Sequence, residues 1–267
     1  MENDKKIREV NTIKRKYKAL GETIAFLNAK KKIFFVSLTS YTATLKIEGD
    51  KKKYLYSKDG KIQDFTVLNK IKKEIKNSNL YIDNVRTSNI KYFSLTNLKP
   101  CKHKIIYNID ITDCYPTTLM NLGFITPEFH AELSKVEKLK KLKSLGQIAT
   151  RKTVYAYSDG TLQTVEQKQN DYLRNVWFTI CQETGETINE CKNSIDSFLF
   201  FWFDGIYFKN PKDAEKIKEI LTKKKYKFKE ETLTNFEVKK DKQNIKITYL
   251  KDGKEKNFNL PLPVLNQ

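Results

Sequence analysis

The chain has 267 residues, enough for one large domain or two small ones. Apolar residues make up 39% of it and aromatics 12%, so it can build a core despite 31% charge, which excludes a disordered tail. Its 51 basic against 32 acidic side chains leave a net charge of +19, which predicts attraction to a polyanion, with lysine as a default surface residue the alternative.

The start, MENDKKIREV, has no apolar signal-peptide core, and no apolar run reaches the ~18 residues that cross a bilayer. The four cysteines form no CxxC pair and only two histidines are present, so structural zinc and a disulfide framework are not expected. A reduced, cytoplasmic protein without membrane attachment is the expectation.

Residues 1–30 hold a basic, weakly amphipathic segment read as helical in part. IFFVSL, TATLKIEG and KYLYSKDGKIQDF then read as strands, with a hairpin turn at Asp59-Gly60. A short helix is expected over 66–77 and a strand over IIYNIDIT, 105–112. Over 126–146, Thr126 suits an N-cap, Pro127 the first helical position and Gly146 the residue past the end. Phe129, Leu133, Val136, Leu139 and Leu142 form an apolar stripe there, while Lys135, Lys138 and Lys141 share a face. VYAYSDGTLQTV reads as a hairpin, followed by a helix over 167–192 with Leu173, Val176, Trp177 and Ile180 on its core face. The strand pair FLFFWFDGIYF, a basic helix in PKDAEKIKEILTKKK and strands including KITYLKDGKEKNF complete the chain. The order predicts an α+β fold with an antiparallel sheet.

Two acids stand out. Asp204 ends the run Phe198–Phe203, which has no polar alternation and reads as a strand buried on both faces. Asp-Gly occurs four times, so a hairpin turn is the plain alternative for Asp204-Gly205, but the other three follow Lys58, Ser158 and Lys251. Asp110 ends the apolar strand IIYNI in YNIDITDCYPTTL; Asp113, three residues later, reads as the cap of the next helix. Two strand-end acids with no histidine nearby favour a hard, oxygen-liganded cation such as Mg²⁺.

At these residues the chain resembles the family B DNA polymerases, especially their protein-primed branch. Asp110-Ile-Thr-Asp-Cys-Tyr115-Pro116-Thr117 matches the family's D-x-x-S-L-Y-P-S at Asp, Tyr and Pro. Asp204-Gly205-Ile206-Tyr207 matches the second half of Y-x-D-T-D-S-I-F, with Trp202 in place of the first aspartate. Lys138 to Gly146 lies ungapped on K-L-x-x-N-S-x-Y-G, agreeing at lysine, leucine and glycine, and Lys246-Ile-Thr-Tyr249 is similar to a late K-x-Y with the spacing off by one.

The resemblance covers about residues 85–260 and implies a palm-like antiparallel sheet with helices on one face, reduced fingers and little or no thumb. It sets an N-terminal basic α+β region at 1–84 and a catalytic domain at 85–267, with a short fingers helix at about 126–146. It further implies two Mg²⁺ (or Mn²⁺) ions on Asp110, Asp204 and the Ile111 carbonyl, and a triphosphate neutralised by Lys138 and Lys141. Tyr115 would lie beneath the sugar and favour dNTPs. Lys239, Lys240, Lys246 and Tyr249 would contact DNA, whether primer-template or single strand, and a protein partner would supply the missing thumb or priming function. A solvated helix face for the lysines and core packing for Tyr115 stay open, as does base stacking against strand packing for Tyr226, Phe228 and Phe236. Three activities follow: template-directed DNA synthesis, a primase or terminal-transferase-like reaction on the same palm, and an inactive nucleic-acid-binding module.

Overall fold

The computed structural model describes residues 17–39, 42–57, 65–82, 98–241 and 244–261. Its elements are those of an α+β protein with two antiparallel sheets. In chain order come α1 (Lys18–Ala29), β1 (Phe34–Leu38), β2 (Thr42–Ile47), β3 (Lys53–Ser57), α2 (Thr66–Asn77), β4 (Cys101–Thr112), α3 (Cys114–Asn121) and α4 (Pro127–Ser134). Then follow α5 (Lys138–Gly146), β5 (Lys152–Ser158), β6 (Thr161–Lys168), α6 (Asp171–Asn193), β7 (Phe198–Trp202), β8 (Gly205–Phe208), α7 (Asp213–Lys223), β9 (Lys227–Lys240), β10 (Asn244–Lys251) and β11 (Lys254–Pro261). The predicted turn at Asp59-Gly60 lies outside the described residues, as do the first sixteen residues. Among the described residues, no helix is long and apolar enough to cross a membrane.

Two compact units share the chain, one made of residues 1–73 and 138–174, the other of 74–137 and 175–267. A single boundary near residue 84 does not reproduce this division. The reason is a long-range pairing: β1 aligns antiparallel with β5, Phe34 opposite Tyr157 and Val36 opposite Tyr155. The β5–β6 hairpin thereby joins the N-terminal strands in a sheet ordered β3-β2-β1-β5-β6.

Alternation decides which face of that sheet is dry. Phe34, Val36, Ala43, Leu45, Tyr155 and Tyr157 form one buried cluster with Leu20, Ile24 and Leu27 of α1. Phe34 and Tyr157 stack with ring centroids 4.5 Å apart. The turn between β5 and β6 is the predicted one, with Asp159 and Gly160 both at positive φ (50° and 77°), as a two-residue hairpin of matching twist requires.

The second unit carries a sheet ordered β11-β10-β9-β4-β8-β7. Its inner part, β4, α6, β7, β8, α7 and β9, is a β-α-β-β-α-β chain whose strands lie in the order β9-β4-β8-β7, the split β-α-β arrangement. Helices cover one face: Ile109, Ile111, Ile206 and Phe208 pack with Ile188 and Cys191 of α6 and Ala214, Ile217 and Leu221 of α7. At about 1.5–3 kcal/mol for each large apolar side chain removed from water, this cluster is a principal source of the unit's stability. Ile106, Phe200, Tyr207, Phe236 and Tyr249 belong to a cluster on the opposite face. The run Phe198–Phe203, expected to be a strand buried on both faces, is instead the sheet's edge strand β7 and the residue after it. Phe200 and Phe201 are buried, Phe198, Leu199 and Trp202 are half-buried and Phe203 is 41% exposed, while it is the neighbouring β8 that is buried at all four positions.

The segment 126–146 departs from the single helix expected. Thr126 Oγ1 accepts from the Phe129 amide at 3.1 Å, as an N-cap should, but the helix stops at Ser134. Short-range bonds from the Lys135 and Val136 amides close its end, and α5 starts afresh at Lys138 in the other unit's segment. The stripe divides accordingly: Phe129 and Leu133 are buried, whereas Leu139 and Leu142 are 56% and 40% exposed. Lys135 therefore shares no helix with Lys138 and Lys141, and Gly146 ends α5 rather than following it.

Candidate active site

Asp110 and Asp204, 94 residues apart in sequence, are neighbours in the second unit's sheet. On β4 the even-numbered residues turn away from the helices, so Asp110 shares a face with Asn108 and with its cross-strand partners, Gly205 on β8 and Lys229 on β9. Asp204 stands beside Gly205 in the β7–β8 turn, and its carbonyl accepts from the Ile111 amide at 3.0 Å. Both side chains are half-buried at one end of the sheet.

The turn itself is unusual. Asp159-Gly160 and Asp252-Gly253 are ordinary Asp-Gly turns with both residues at positive φ. In the β7–β8 hairpin Trp202 pairs with Gly205, so the two connecting residues are Phe203 and Asp204. Positive φ falls on Phe203, at 53°, where a bulky side chain is an outlier. Asp204-Gly205 is therefore not a hairpin of the same kind as the other two. Gly205 is instead a close-packing position: a Cβ there would come within 3.2 Å of both Asn108 Oδ1 and the Tyr207 ring.

Electrostatic coupling shows the two acids acting on common neighbours. Cys114, hydrogen-bonded to Thr184, has its thiol pushed far up, first by burial and further by the carboxylates of Asp204 and Asp110. Tyr207 is pushed up by burial, then by Tyr249, Asp110, Glu231 and Asp204. Tyr249 is raised chiefly by burial, with Glu231 and Asp110 adding to the effect and Lys251 opposing it.

Glu231, Lys251 and Asn108 were not singled out in the sequence. The Glu231 carboxylate takes a hydrogen bond from Asn108 Nδ2 at 3.1 Å and pairs with the Lys251 ammonium, linking β4, β9 and β10 on the face that carries Asp110. Asn108 Oδ1 is buried without a hydrogen-bond partner among the described residues. A signal existed in the alternation of Lys227, Lys229 and Glu231, but only the register with β4 shows which of them meets Asp110.

The remaining expected site residues lie on several different elements. Tyr115, in the first turn of α3, packs its ring 5.3 Å from that of Trp177. Asp113 occupies the N-cap of α3 in a left-handed conformation (φ 49°), yet its side chain makes no capping bond. Lys138 and Lys141 belong to the first unit; Lys138 is exposed, whereas Lys141 is only 4% exposed and so does not lie on a solvated face.

Lys239 pairs with Lys246 and Lys240 with Ile245. Lys239 lies ten residues along β9 from Lys229, the partner of Asp110, which at about 3.3 Å per residue is roughly 30 Å. Of that group only Tyr249 is near the acids. Tyr226 and Phe236 are buried in the two cores, Tyr226 Oη lying 2.8 Å from Thr118 Oγ1, and Phe228 packs half-buried against the helix-side cluster.

Among the described residues no three His, Cys, Asp or Glu side chains form a group able to hold a metal. The donors at the carboxylate pair are nonetheless all hard oxygens, and the nearest soft donor, Cys114, is held as the neutral thiol.

Fold and site together define an α+β protein whose split β-α-β sheet brings the backbones of Asp110 and Asp204 together at one end. No family model matches the chain, and no curated protein matches it.

Proposed function

We propose that the second unit is a polymerase-like palm and that the protein is a nucleotidyltransferase adding dNTPs to a DNA primer. The single observation that carries this reading is the convergence, from distant parts of the chain, of Asp110 at the end of β4 and Asp204 in the β7–β8 turn beside it. The β-α-β-β-α-β order supports it, since it sets the end of β4 next to the β7–β8 turn, where the resemblance to family B polymerases requires its two acids.

The oxygen donor set fits Mg²⁺ or Mn²⁺ held by Asp110 and Asp204 with the Ile111 carbonyl, the remaining positions going to water and substrate oxygens. Such ions, when bound, lower the cost of charge on the attacking and leaving oxygens. The reaction joins the primer 3′-oxygen to the α-phosphorus of the dNTP and expels pyrophosphate, the hydroxyl proton passing to water. This chain's residues contribute position: the antiparallel ladder fixes the two carboxylates, and Tyr115, braced by Trp177, offers a rigid wall for the sugar. Lys138 is the exposed member of the pair assigned to the triphosphate. Lys141 is too buried to offer one an open surface.

One observation favours a second reading. Trp202, where the family has an acid, packs edge-on to Phe203 with centroids 5.0 Å apart and against the cluster on the face opposite α6 and α7. A nucleic-acid-binding protein without catalysis would tolerate that replacement.

Incubation with Mg²⁺ or Mn²⁺, labelled dNTPs or NTPs, and primed template or bare single strand separates the readings. Template-dependent extension is the expected result, and untemplated or de novo products would point to the primase or terminal-transferase alternative. Asp204→Asn is expected to abolish incorporation while leaving DNA binding intact. Binding without incorporation under every condition would leave the non-catalytic reading.

A further inference from the structure

We propose that the first unit carries a binding surface for single-stranded nucleic acid, on the face of its sheet opposite α1 and at the end where β1 begins. The surface rests on register and exposure. Lys53, Lys46 and Phe35 occupy one row across β3, β2 and β1, and the row continues into Ala156 and Thr164. Phe34, Val36 and Leu45 face the buried cluster with α1, so alternation turns this row outward. Lys46 and Lys53 are exposed and Phe35 is 37% exposed.

Two lysines directly opposite on neighbouring strands repel one another, and no acid stands in the row to relieve them. An aromatic side chain left open beside them adds an apolar surface that folding alone does not require. Cation, cation and aromatic ring on three adjacent strands suit a chain of phosphates with an unpaired base against Phe35.

The connectors at the same end add charge. Residues 30–32 and residues 51–53 are each Lys-Lys-Lys, and every one of these side chains is exposed. They are held near one another because the Glu48 amide donates to the Ile33 carbonyl at 2.9 Å, tying the α1–β1 connector to the end of β2. With Lys46 this makes seven lysines, against Glu48, Asp50 and Asp159 at that end. The Asp50 carboxylate is occupied by the Lys52 amide (2.9 Å) and the Tyr54 hydroxyl (2.8 Å), and Asp159 accepts from Ser158 at 3.0 Å. Exposed Ile33, at 40%, adds apolar surface beside the lysines. A duplex would meet the lysines with its phosphates but has no unpaired base face to offer Phe35, so the single strand is the favoured ligand.

The inference rests on the nucleic-acid part of the proposed function and not on catalysis at Asp110 and Asp204. Its test is fluorescence anisotropy on the full chain with a labelled oligo(dT) of about 20 nucleotides, and with a duplex of the same length, over a series of salt concentrations. Lys46→Glu combined with Lys53→Glu is expected to weaken single-strand binding at least about tenfold and to shrink the salt slope by about 1.4. Phe35→Leu, which keeps an apolar side chain, is expected to weaken single-strand binding about fivefold or more with little effect on duplex. Far-UV circular dichroism and thermal melting establish that each variant folds.

Wild-type affinity in both variants would overturn the proposal, as would equal losses for single strand and duplex in Phe35→Leu. Asp204→Asn separates the two claims. Its loss of incorporation alongside unchanged oligonucleotide affinity in the surface variants would retain the active site and reject this surface.

Discussion

At Gly205 the space for a side chain is already taken. Alanine there would press a methyl group onto Asn108 Oδ1 and the Tyr207 ring at 3.2 Å, in a sheet whose β8 residues are buried throughout. Overpacking of this kind costs about 1–3 kcal/mol. Gly205→Ala is expected to lower the urea midpoint accordingly and, by shifting β8 against β4, to reduce incorporation more than DNA affinity. Unchanged stability and activity would mean the contact is soft. Asp204 stood out in the sequence because a charge ending six apolar residues is costly anywhere unspecialised. The shift of the turn centre to Phe203 and Asp204 was not legible, since it depends on pairing Trp202 with Gly205. Glu231 and Lys251 escaped notice for a related reason: each is an ordinary strand residue until β9 and β10 are set beside β4.

At the scale of elements, α3, α6 and the residue leading into β9, Tyr226, meet through buried polar groups. Thr118 Oγ1 donates to the Cys114 carbonyl at 2.9 Å and lies 3.3 Å from Thr184 Oγ1 and 2.8 Å from Tyr226 Oη. Removing the phenol in Tyr226→Phe leaves Thr118 short of a partner and is expected to cost about 1–2 kcal/mol in urea unfolding. No measurable loss would show the network contributes little.

The same core makes stability depend on alkaline pH. Burial pushes Tyr226 up to about 12, and burial followed by the Glu190 charge pushes Cys191 up to about 12. Both groups are neutral in the fold, and in the unfolded chain a thiol ionises near about 8.5 and a phenol near about 10. Their contribution is therefore complete below about pH 8.5 and declines as pH rises toward the folded values, by up to about 1.4 kcal/mol per pH unit for each group. Unfolding free energy measured under reducing conditions between pH 7.5 and 10.5 should fall, and Cys191→Ala should flatten part of the decline. A level profile would contradict the assignment. Helix and strand positions were mostly readable from periodicity at this scale. The break at 135–137 was not, because the apolar stripe runs through it unbroken while short-range bonds from the Lys135 and Val136 amides close the helix at Ser134.

For the whole molecule, the pairing of β1 with β5 means that no single cut yields two intact pieces. A truncated chain of residues 85–267 would leave Tyr155 and Tyr157 without Phe34 and Val36. It is expected to be aggregation-prone or readily proteolysed within residues 138–174, whereas a protease-resistant fragment retaining β5 and β6 would contradict the division. The α+β class followed from the order of elements, but two discontinuous units did not, since long-range pairing leaves no mark on local composition. The net charge of +19 belongs to this scale too, and DNA affinity should fall steeply with salt. The claim on which the functional reading depends is that Asp110 and Asp204 serve one cation site. Calorimetric titration of Mn²⁺ into the wild type, Asp110→Asn, Asp204→Asn and the double variant, each with dATP present, addresses it directly. The expected result is that either single variant loses the protein-dependent binding and the double loses no more. Wild-type binding in both single variants, or losses that simply add, would contradict a shared site.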